Sequence, residues 1–279
     1  MVNKALHINI ASNHLLYPEL ERALQYAIEV GDTILSIKQK GYEVRDKQGE
    51  GFNPVTEADE AASQFLLEHL SQSFPEDAFI SEEAPIPSMI NPQQRIWYID
   101  PIDGTKEFIK GISEWSVMIG LAINGNPELG VVYQPDLKEG YYAVKGGGAY
   151  FFSPNESRRI QVRCNQHAKD NILIQSRSHW CESAQKIAGE LGIVQTLKHG
   201  SIGLKLGLIA QAKADLYLNF SGHCHLWDTC GPEAILNEAG GKVVMHGGRK
   251  LNYHTNETLI KQSFAAGNKG LASQVELFI

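Results

Sequence analysis

Two aspartates beside a proline and a glycine form the part of the chain best suited to chemistry. Asp100 and Asp103 follow an apolar run, Arg95 to Ile99, that predicts a strand. Pro101 cannot donate a hydrogen bond to a sheet, so we expect the strand to end there. Gly104 lets a ligand approach the backbone and supplies an amide at the start of the next helix. Carboxylates attract hard cations and helix N-termini attract anions, so the spacing predicts a metal ion that bridges the aspartates and a phosphate.

An Asp-Pro turn with a capped helix explains any one of these residues, but not the whole run. The run from Trp97 to Leu121, centred on Asp-Pro-Ile-Asp-Gly-Thr, resembles the inositol monophosphatase superfamily of metal-dependent phosphatases. The variant Asp-Gly-Thr-Lys-Glu-Phe is similar to the branch of 3'(2'),5'-bisphosphate nucleotidases, and the likeness extends from about Leu15 to the last strand. The resemblance implies an α/β (mixed α+β) fold, a layered α-β-α-β-α sandwich.

The resemblance also implies a Mg²⁺ cofactor, as two or three ions, and inhibition by lithium. Adjacent side chains on an extended backbone point to opposite faces, so only one of Glu82 and Glu83 can meet a metal squarely. The family pattern assigns Glu82 as a ligand and places Glu83 near the attacking water as a catalytic residue. Asp228 lies in a Trp-Asp motif before a helix. Its residue type favours a helix N-cap, whereas the resemblance implies a metal ligand. The implied metal ligands are Glu82, Asp100, Ile102 (through its carbonyl), Asp103 and Asp228.

Asp59 and Thr105 are the other two catalytic residues that the resemblance implies. In the family, the aspartate that closes a Pro-Val-Thr-x-Ala-Asp run pairs with the threonine of Asp-Gly-Thr and helps to activate the attacking water. The residue types alone favour a capping box between Thr56 and Asp59 at a helix start. We expect both roles to hold together only if the Asp59 side chain turns away from the cap.

Two further turns precede helices and could bind the second phosphate of a nucleotide. They are the Ser-Arg-Ser-His run at 176–179 and the Gly-Ser-x-x-x-Lys run at 200–205, and by spacing alone each is equally well explained as a helix cap. Their similarity to bisphosphate nucleotidases favours binding. The full implied substrate-binding set is Glu82, Ile102, Asp103, Gly104, Thr105, Ser176, Arg177, Ser178, His179, Gly200, Ser201, Lys205 and Asp228.

One departure of this sequence from the inositol monophosphatase pattern bears on the predicted substrate. Inositol monophosphatases carry a sugar-binding carboxylate shortly before the Trp-Asp motif, but 218–226 contains no Asp or Glu. This absence counts against inositol phosphate and, together with Lys106-Glu107 and the Ser-Arg-Ser-His run, points to adenosine 3',5'-bisphosphate, hydrolysed to AMP and phosphate. The resemblance also implies a link to sulfur metabolism. Inositol monophosphate, 3'-phosphoadenylyl sulfate and a sugar phosphate remain alternatives, as does a non-catalytic metal- and nucleotide-binding regulator. His223, Cys224, His225 and Cys230 match no closed structural zinc pattern.

The composition limits partners and location. The 279 residues carry a net charge of −7 without a Lys/Arg run, which argues against a duplex nucleic-acid binder. The first residues contain no apolar run long enough for a signal peptide or a membrane span. The four cysteines include no C-x-x-C pair and are expected as reduced thiols. We expect a cytoplasmic protein with a small nucleotide substrate; a homodimer and peripheral association with the cytoplasmic face of the membrane stay open.

Hydrophobic periodicity predicts alternating helices and strands. A divide near 153–159 predicts domains at 1–157, with most metal ligands, and 158–279, with Asp228 and the nucleotide-binding turns. The polar stretch 42–53, with Lys47, reads equally as a surface connection and as a lid. The predicted helices are 15–40, from about 54 to 74, a short one after Gly104, 182–191, 204–214 and 227–239. The predicted strands are 77–81, 95–99, 115–123, 129–134, 140–144, 149–152, 171–175, 215–219, 242–245 and 263–266.

Overall fold

Five layers, helices alternating with sheets, make up the molecule. The computed structural model describes residues 8–46, 54–88, 95–164, 167–276 and 278–279; the predicted lid residue Lys47 lies outside them. The helices are α1 (Tyr17–Lys40), α2 (Glu57–Ser73), α3 (Thr105–Ile109), α4 (Glu182–Glu190), α5 (Ile202–Ala210), α6 (Cys230–Glu238) and α7 (Lys269–Val275). Within the described ranges, no helix is both long enough and apolar enough to cross a membrane.

The strands form two large sheets and two small ribbons. Those of the first half are β1 (Val44–Asp46), β2 (Pro54–Thr56), β3 (Ala78–Ser81), β4 (Ile96–Asp103), β5 (Ser116–Ile123), β6 (Asn126–Gln134), β7 (Glu139–Val144), β8 (Gly148–Phe152) and β9 (Ser157–Ile160). Those of the second half are β10 (Ile172–Ser176), β11 (Gln195–His199), β12 (Leu216–Asn219), β13 (Cys224–His225), β14 (Gly241–Met245), β15 (Leu259–Ile260) and β16 (Phe264–Asn268).

The first sheet has seven strands in the order β3-β4-β5-β6-β7-β8-β9. Only the β3–β4 pair is parallel, so the chain enters the sheet at one edge and then meanders. The second sheet has the order β11-β10-β12-β16-β14, in which β10 runs parallel to β11 and β12 while β16 is antiparallel to both neighbours. The two ribbons are β1-β2 and β13-β15.

Side-chain alternation along β4 explains the layering. Trp97 and Ile99 lie in a core with α1 and α2, whereas Tyr98 lies in a second core with α5, α6 and one face of the second sheet. A third core joins the other face of that sheet to α4 and α7. Because both faces of β4 are covered, its sequence is apolar without alternation from Ile96 to Ile99, before the first aspartate. The predicted α-β-α-β-α sandwich is confirmed.

Helix α1 shows why these segments become helical. Its buried residues include Leu20, Ala23, Leu24 and Ala27, which share one face by their three- and four-residue spacing. Pro18 lies in the first turn, where its missing N–H leaves no bond unmade. The helix ends at Lys40, as the sequence predicted.

The strand that carries the two aspartates runs further than expected. β4 passes Pro101 and ends at Asp103, which pairs with Ser116 of β5. The register shifts between Asp100 and Asp103, so Pro101 falls in an irregularity where no ladder hydrogen bond is required of it. The prediction that the strand stops at the proline was therefore wrong. Because the register shifts between Asp100 and Asp103, the two aspartates do not occupy equivalent positions in the β4–β5 pairing.

Other boundaries also differ from the sequence prediction, such as the start of α6 at Cys230 rather than at 227. Ser157–Ile160 was expected near a domain boundary, but β9 extends the first sheet by pairing with β8. Helix α5 ends at Ala210 rather than at 214, because Ala212 adopts a positive φ of 63° that a helix does not permit. The division into 1–157 and 158–279 stays a prediction; one core contains residues from both halves.

Candidate active site

Three carboxylates meet where the first sheet faces α6. Glu82 directly follows β3, Asp100 lies in β4, and Asp228 precedes α6 by two residues. One oxygen from each lies within 4.8 Å of the others, the distance expected of groups that share one cation. The parallel β3–β4 pair explains part of this: the Glu82 amide donates to the Ile99 carbonyl (3.1 Å), so Glu82 and Asp100 end side by side.

The electrostatics of this group favour a cation. Burial, followed by the negative charges of Asp103 and Glu82, raises the pKa of Asp228 to about 8. Burial also raises the pKa of Asp103, against the opposing effect of Lys205. Like charges brought together repel, and a divalent ion relieves that repulsion. The donors are hard carboxylate oxygens, so the residues present fit Mg²⁺.

Asp228 does not cap its helix. The N-cap position of α6 is Thr229, and it makes no side-chain capping bond. Asp228 Oδ2 instead accepts a hydrogen bond from the His225 amide at 2.7 Å. The capping alternative for Asp228 is therefore wrong, and its carboxylate faces Glu82 and Asp100.

Asp103 lies beside the group of three rather than within it. Its Oδ2 accepts hydrogen bonds from Ser201 Oγ (2.5 Å) and from the Gly203 amide (2.8 Å), both at the start of α5. Lys205 is fully buried nearby; its Nζ donates to the Ser201 carbonyl at 2.8 Å, and burial lowers its pKa. The second half of the chain thus holds Asp103 in place.

Asp59 both caps a helix and meets Thr105, contrary to the expectation that one role excludes the other. Its Oδ2 accepts from the Thr56 amide (2.8 Å) and from Thr56 Oγ1 (2.5 Å), which completes a capping box at the start of α2. Its Oδ1 accepts from Thr105 Oγ1 at 3.3 Å. A carboxylate has two oxygens, and here each serves one role.

The turn after β4 brings the hydroxyl of Thr105 close to Asp59. Gly104 has a φ of +98°, a backbone conformation that disfavours other residues, and α3 begins at the next residue. Thr105 Oγ1 also lies 3.1 Å from the Ile102 carbonyl, one of the predicted metal ligands.

Glu83, predicted as a catalytic residue, lines a groove along α2 that also includes Glu60, Ser63 and Leu67.

The predicted nucleotide-binding turn at 176–179 packs against the segment that follows the aspartates. Arg177 forms a two-point ion pair with Glu114, with both N···O distances 2.6 Å. Ser178 Oγ donates to Glu107, which is buried. Lys106 Nζ lies 3.2 Å from His179 Nε2. Ser176 Oγ accepts from the His179 amide at 3.1 Å.

Gly200 and Ser201, from the second predicted turn, also lie against that segment. The Gly200 amide donates to Glu114 Oε2 at 2.7 Å, and Ser201 Oγ lies 2.9 Å from Ser116 Oγ. Sequence reasoning included Glu107 only as part of the Asp-Gly-Thr-Lys-Glu-Phe run, without its partner, and missed Glu114 and Ser116. No local pattern identifies these three contacts, since the partners lie 71, 63 and 85 residues further along the chain.

The cysteines and histidines before α6 lie close to Asp228. Cys224 is buried, and its thiol pKa is raised well above the usual value by burial and then by Asp228. The His225 ring stacks on Trp227 with centroids 4.3 Å apart. Cys230 is the first residue of α6 and is also buried.

Comparison with known proteins agrees with the architecture. Residues 16–277 match the inositol monophosphatase family, and the chain belongs to that family. It is 37% identical over 246 residues to the 3'(2'),5'-bisphosphate nucleotidase CysQ of Salmonella typhimurium, covering 88% of this chain and 98% of that protein. It is 32% identical over 262 residues to the protein of the same name from Aggregatibacter actinomycetemcomitans, covering 92% and 94%.

Solved structures show the same fold. CysQ from Bacteroides thetaiotaomicron, a bacterial member of the inositol monophosphatase family, matches with a TM-score of 0.77 and 29% identity, covering 92% of this chain and 99% of that chain. An IMPase from Thermotoga maritima matches with a TM-score of 0.78 and 25% identity, covering 92% and 95%.

Proposed function

We propose that this chain is a Mg²⁺-dependent phosphomonoesterase that hydrolyses adenosine 3',5'-bisphosphate to AMP and inorganic phosphate. One observation carries the proposal: carboxylate oxygens from three separate parts of the chain converge within 4.8 Å. Thr105, five residues after one of these carboxylates, has a hydroxyl that is hydrogen-bonded to a buried aspartate. The bisphosphate substrate is supported by the relatives named as 3'(2'),5'-bisphosphate nucleotidases over nearly their whole length.

The proposed metal ligands are Glu82, Asp100, Asp103, Asp228 and the Ile102 carbonyl, and the proposed number of ions is two or three. When bound, Mg²⁺ neutralises phosphate charge and lowers the pKa of water. Asp103 is proposed to bind the metal through Oδ1, because the hydrogen bonds from Ser201 and Gly203 both go to Oδ2.

Thr105 and Asp59 orient the attacking water in the proposed reaction. The single proton of the Thr105 hydroxyl faces both Asp59 Oδ1 (3.3 Å) and the Ile102 carbonyl (3.1 Å). Whichever oxygen accepts it, a lone pair on Oγ1 is available to accept a hydrogen bond from water. Asp59 is 2% exposed and anchored through Oδ2 to the start of α2, so its orientation is set before substrate arrives. Glu83 is proposed as a further residue near that water.

The phosphate is proposed to lie at the start of α3, against the amides of Gly104 and Thr105. The water oxygen forms a bond to phosphorus as the bond from phosphorus to the 3' oxygen breaks. The 3' oxygen leaves as a hydroxyl, and its proton comes in effect from the water. The negative phosphate is placed where the carboxylates alone would repel it, so binding depends on the cation.

The nucleotide itself is proposed to contact the turn at 176–179 and the start of α5. Lys106 and His179 lie together at that turn, and Ser178 is tied to Glu107. Ser201 and Lys205 are proposed to act from beneath it, since both are buried.

Inhibition by lithium and a homodimer remain proposals. A cytoplasmic location is proposed too, supported by the four free cysteines.

The test is phosphate release by the purified full-length chain in saturating Mg²⁺. The substrate panel contains adenosine 3',5'-bisphosphate, 3'-phosphoadenylyl sulfate, adenosine 3'-monophosphate, inositol 1-phosphate and a sugar phosphate, at equal concentration. We expect the bisphosphate to have the highest kcat/KM, and chelation of Mg²⁺ to abolish release.

A higher kcat/KM for inositol 1-phosphate than for the bisphosphate would support a second candidate function, inositol monophosphatase activity. That candidate is favoured by the likeness in fold to the IMPase of Thermotoga maritima. Binding of the nucleotide in saturating Mg²⁺ with no release from any ester would instead support the non-catalytic regulator.

A further inference from the structure

We propose that the ion pair between Arg177 and Glu114 is a positioning device that holds Asp103 at the metal site, and that it is not a phosphate-binding element. Arg177 and Glu114 are positioning residues, because they act through Gly200 and Ser201. The inference rests on the proposed function in one respect: it takes Asp103 as a metal ligand.

The chain of contacts starts at Asp103 itself. Its Oδ2 receives hydrogen bonds from Ser201 Oγ at 2.5 Å and from the Gly203 amide at 2.8 Å. Ser201 has a φ of +53°, which non-glycine residues rarely adopt, and is only 5% exposed. Its Oγ also lies 2.9 Å from Ser116 Oγ and accepts from the Leu204 amide at 3.0 Å. A residue in so unusual a conformation keeps it only while its surroundings fix it.

Gly200 transmits that constraint to Glu114. Its amide donates to Glu114 Oε2 at 2.7 Å. A Cβ at Gly200 would lie 2.4 Å from the Glu114 carbonyl oxygen and 2.7 Å from Glu107 Cγ, so the two backbones are in direct contact. A displacement of Glu114 must therefore displace the backbone that leads into Ser201.

Arg177 fixes the Glu114 side chain. Its Nε and Nη2 donate to the two carboxylate oxygens at 2.6 Å each, and Nη2 also lies 3.2 Å from the Lys198 carbonyl. The Arg177 amide donates to the His199 carbonyl at 3.1 Å. The guanidinium is thus held by the ends of β10 and β11, and the donors that would grip a phosphate in the same two-point manner are already engaged.

The contacts close into a ring that joins the two halves of the chain. Glu114 lies two residues before Ser116, which pairs with Asp103 across β4 and β5 and meets Ser201 through its hydroxyl. Each half of the chain therefore fixes the residue that positions Asp103. The pair itself is partly exposed, with 39% of the Arg177 side chain and 18% of the Glu114 side chain accessible, so its loss should affect global stability little.

The test is Mn²⁺ binding by the full-length protein without nucleotide, followed by electron paramagnetic resonance. We expect Arg177→Met and Glu114→Ala to weaken Mn²⁺ binding about tenfold, as loss of a group that orients a metal ligand does. Arg177→Lys should recover part of the affinity, since an ammonium still pairs with Glu114 but at one point only. Arg158→Met and Glu156→Ala break a comparable exposed ion pair remote from Asp103 and should leave the affinity at the wild-type value.

The outcomes separate this inference from the proposed function. Wild-type Mn²⁺ affinity in folded Arg177→Met, with a raised KM for adenosine 3',5'-bisphosphate but not for adenosine 3'-monophosphate, would show that Arg177 binds the second phosphate and would overturn the inference alone. A wild-type chain that binds Mn²⁺ yet releases phosphate from no ester would overturn the proposed function, while the affinity ratios would still decide the inference. Absence of Mn²⁺ binding by the wild type would overturn both.

Discussion

Two neighbouring regions of this molecule treat charge in opposite ways. In the carboxylate group, Glu82, Asp100 and Asp228 bring like charges within 4.8 Å. At the rim formed by 106–114 and 176–179, Arg177 is matched by Glu114, and Ser178 by Glu107. Convergence of like charge is unfavourable unless a cation is bound, so it identifies a site of chemistry. Matched charge identifies contacts that hold the halves together.

This difference changes how the rim is interpreted. An arginine beside a helix start suggests anion binding when only the sequence is known. In the structure the guanidinium of Arg177 forms a two-point pair with Glu114, which is the contact from which we infer a positioning role. Four changes follow in descending order of expected effect: three test the contrast between the two regions, and one, at Glu233, tests a buried carboxylate outside both.

Asp100→Asn should have the largest effect because it removes a charge from the centre of the carboxylate group. We expect kcat/KM for phosphate release to fall by at least about 10²-fold, the scale for losing one preorganised electrostatic group. Asp32→Asn, on the exposed face of α1, is the matched control and should retain wild-type turnover. Steady-state kinetics at saturating Mg²⁺ measures both, and equal turnover in the two variants would remove Asp100 from the site.

Thr105→Val should separate catalysis from metal binding. The change keeps the side-chain shape but removes the hydroxyl that meets Asp59, so kcat should fall about 10²-fold while Mn²⁺ affinity stays unchanged. Thr33→Val on α1, whose hydroxyl bonds only within its own helix, should change neither quantity. A parallel loss of Mn²⁺ affinity in Thr105→Val would place this hydroxyl in the metal site instead.

Glu233 offers a buried carboxylate that is matched by a neutral donor. Tyr253 donates to its Oε2 at 2.6 Å, and burial raises the pKa of Glu233 to about 7. The folded state therefore binds this proton more tightly than the unfolded state, so the contribution to the free energy of unfolding is present at low pH. It is lost as pH rises from about 4.5 to about 7, by at most about 3 kcal/mol.

Glu233→Gln should remove that part of the pH dependence. We expect urea unfolding to show a smaller loss of stability between pH 5 and pH 8 in the variant than in the wild type. Identical pH profiles would mean that Glu233 titrates normally in the folded protein.

Gly200→Ala should disturb the rim by crowding alone. An added Cβ would lie 2.4 Å from the Glu114 carbonyl oxygen, so we expect a loss of about 1–3 kcal/mol in the free energy of unfolding. Gly189→Ala in α4 is the control: a Cβ there has no neighbour within 4 Å, and the variant should gain about 0.5–1 kcal/mol. Thermal unfolding measures both variants, and a Gly200→Ala variant that is as stable as the wild type or more stable would contradict the close contact at Gly200.

The sequence predicted the first region well and the second poorly, for a physical reason. Asp100 falls in one contiguous motif with Asp103 and Thr105, whose spacing indicates a strand that turns into a helix, and Glu82 and Asp228 were assigned by their resemblance to family motifs. The pairing of Arg177 with Glu114 spans 63 residues and depends on how β10 and β11 meet the first sheet. No local pattern contains that information.

The same limit applies to the elements that were missed or misread. β11 is an exposed edge strand, so it lacks the alternation that identifies buried strands. The bulge at Pro101 arises from pairing with β5, which the local sequence does not specify. The double role of Asp59 depends on where Thr105 arrives, 46 residues later.

Anomalous diffraction from crystals grown with Mn²⁺ tests the central claim most directly. The account predicts at least one anomalous peak within coordination distance of Glu82, Asp100 and Asp228, with the turn at Gly104 and Thr105 facing it. Mn²⁺ bound elsewhere, with these three carboxylates making no contact to it, would contradict the account.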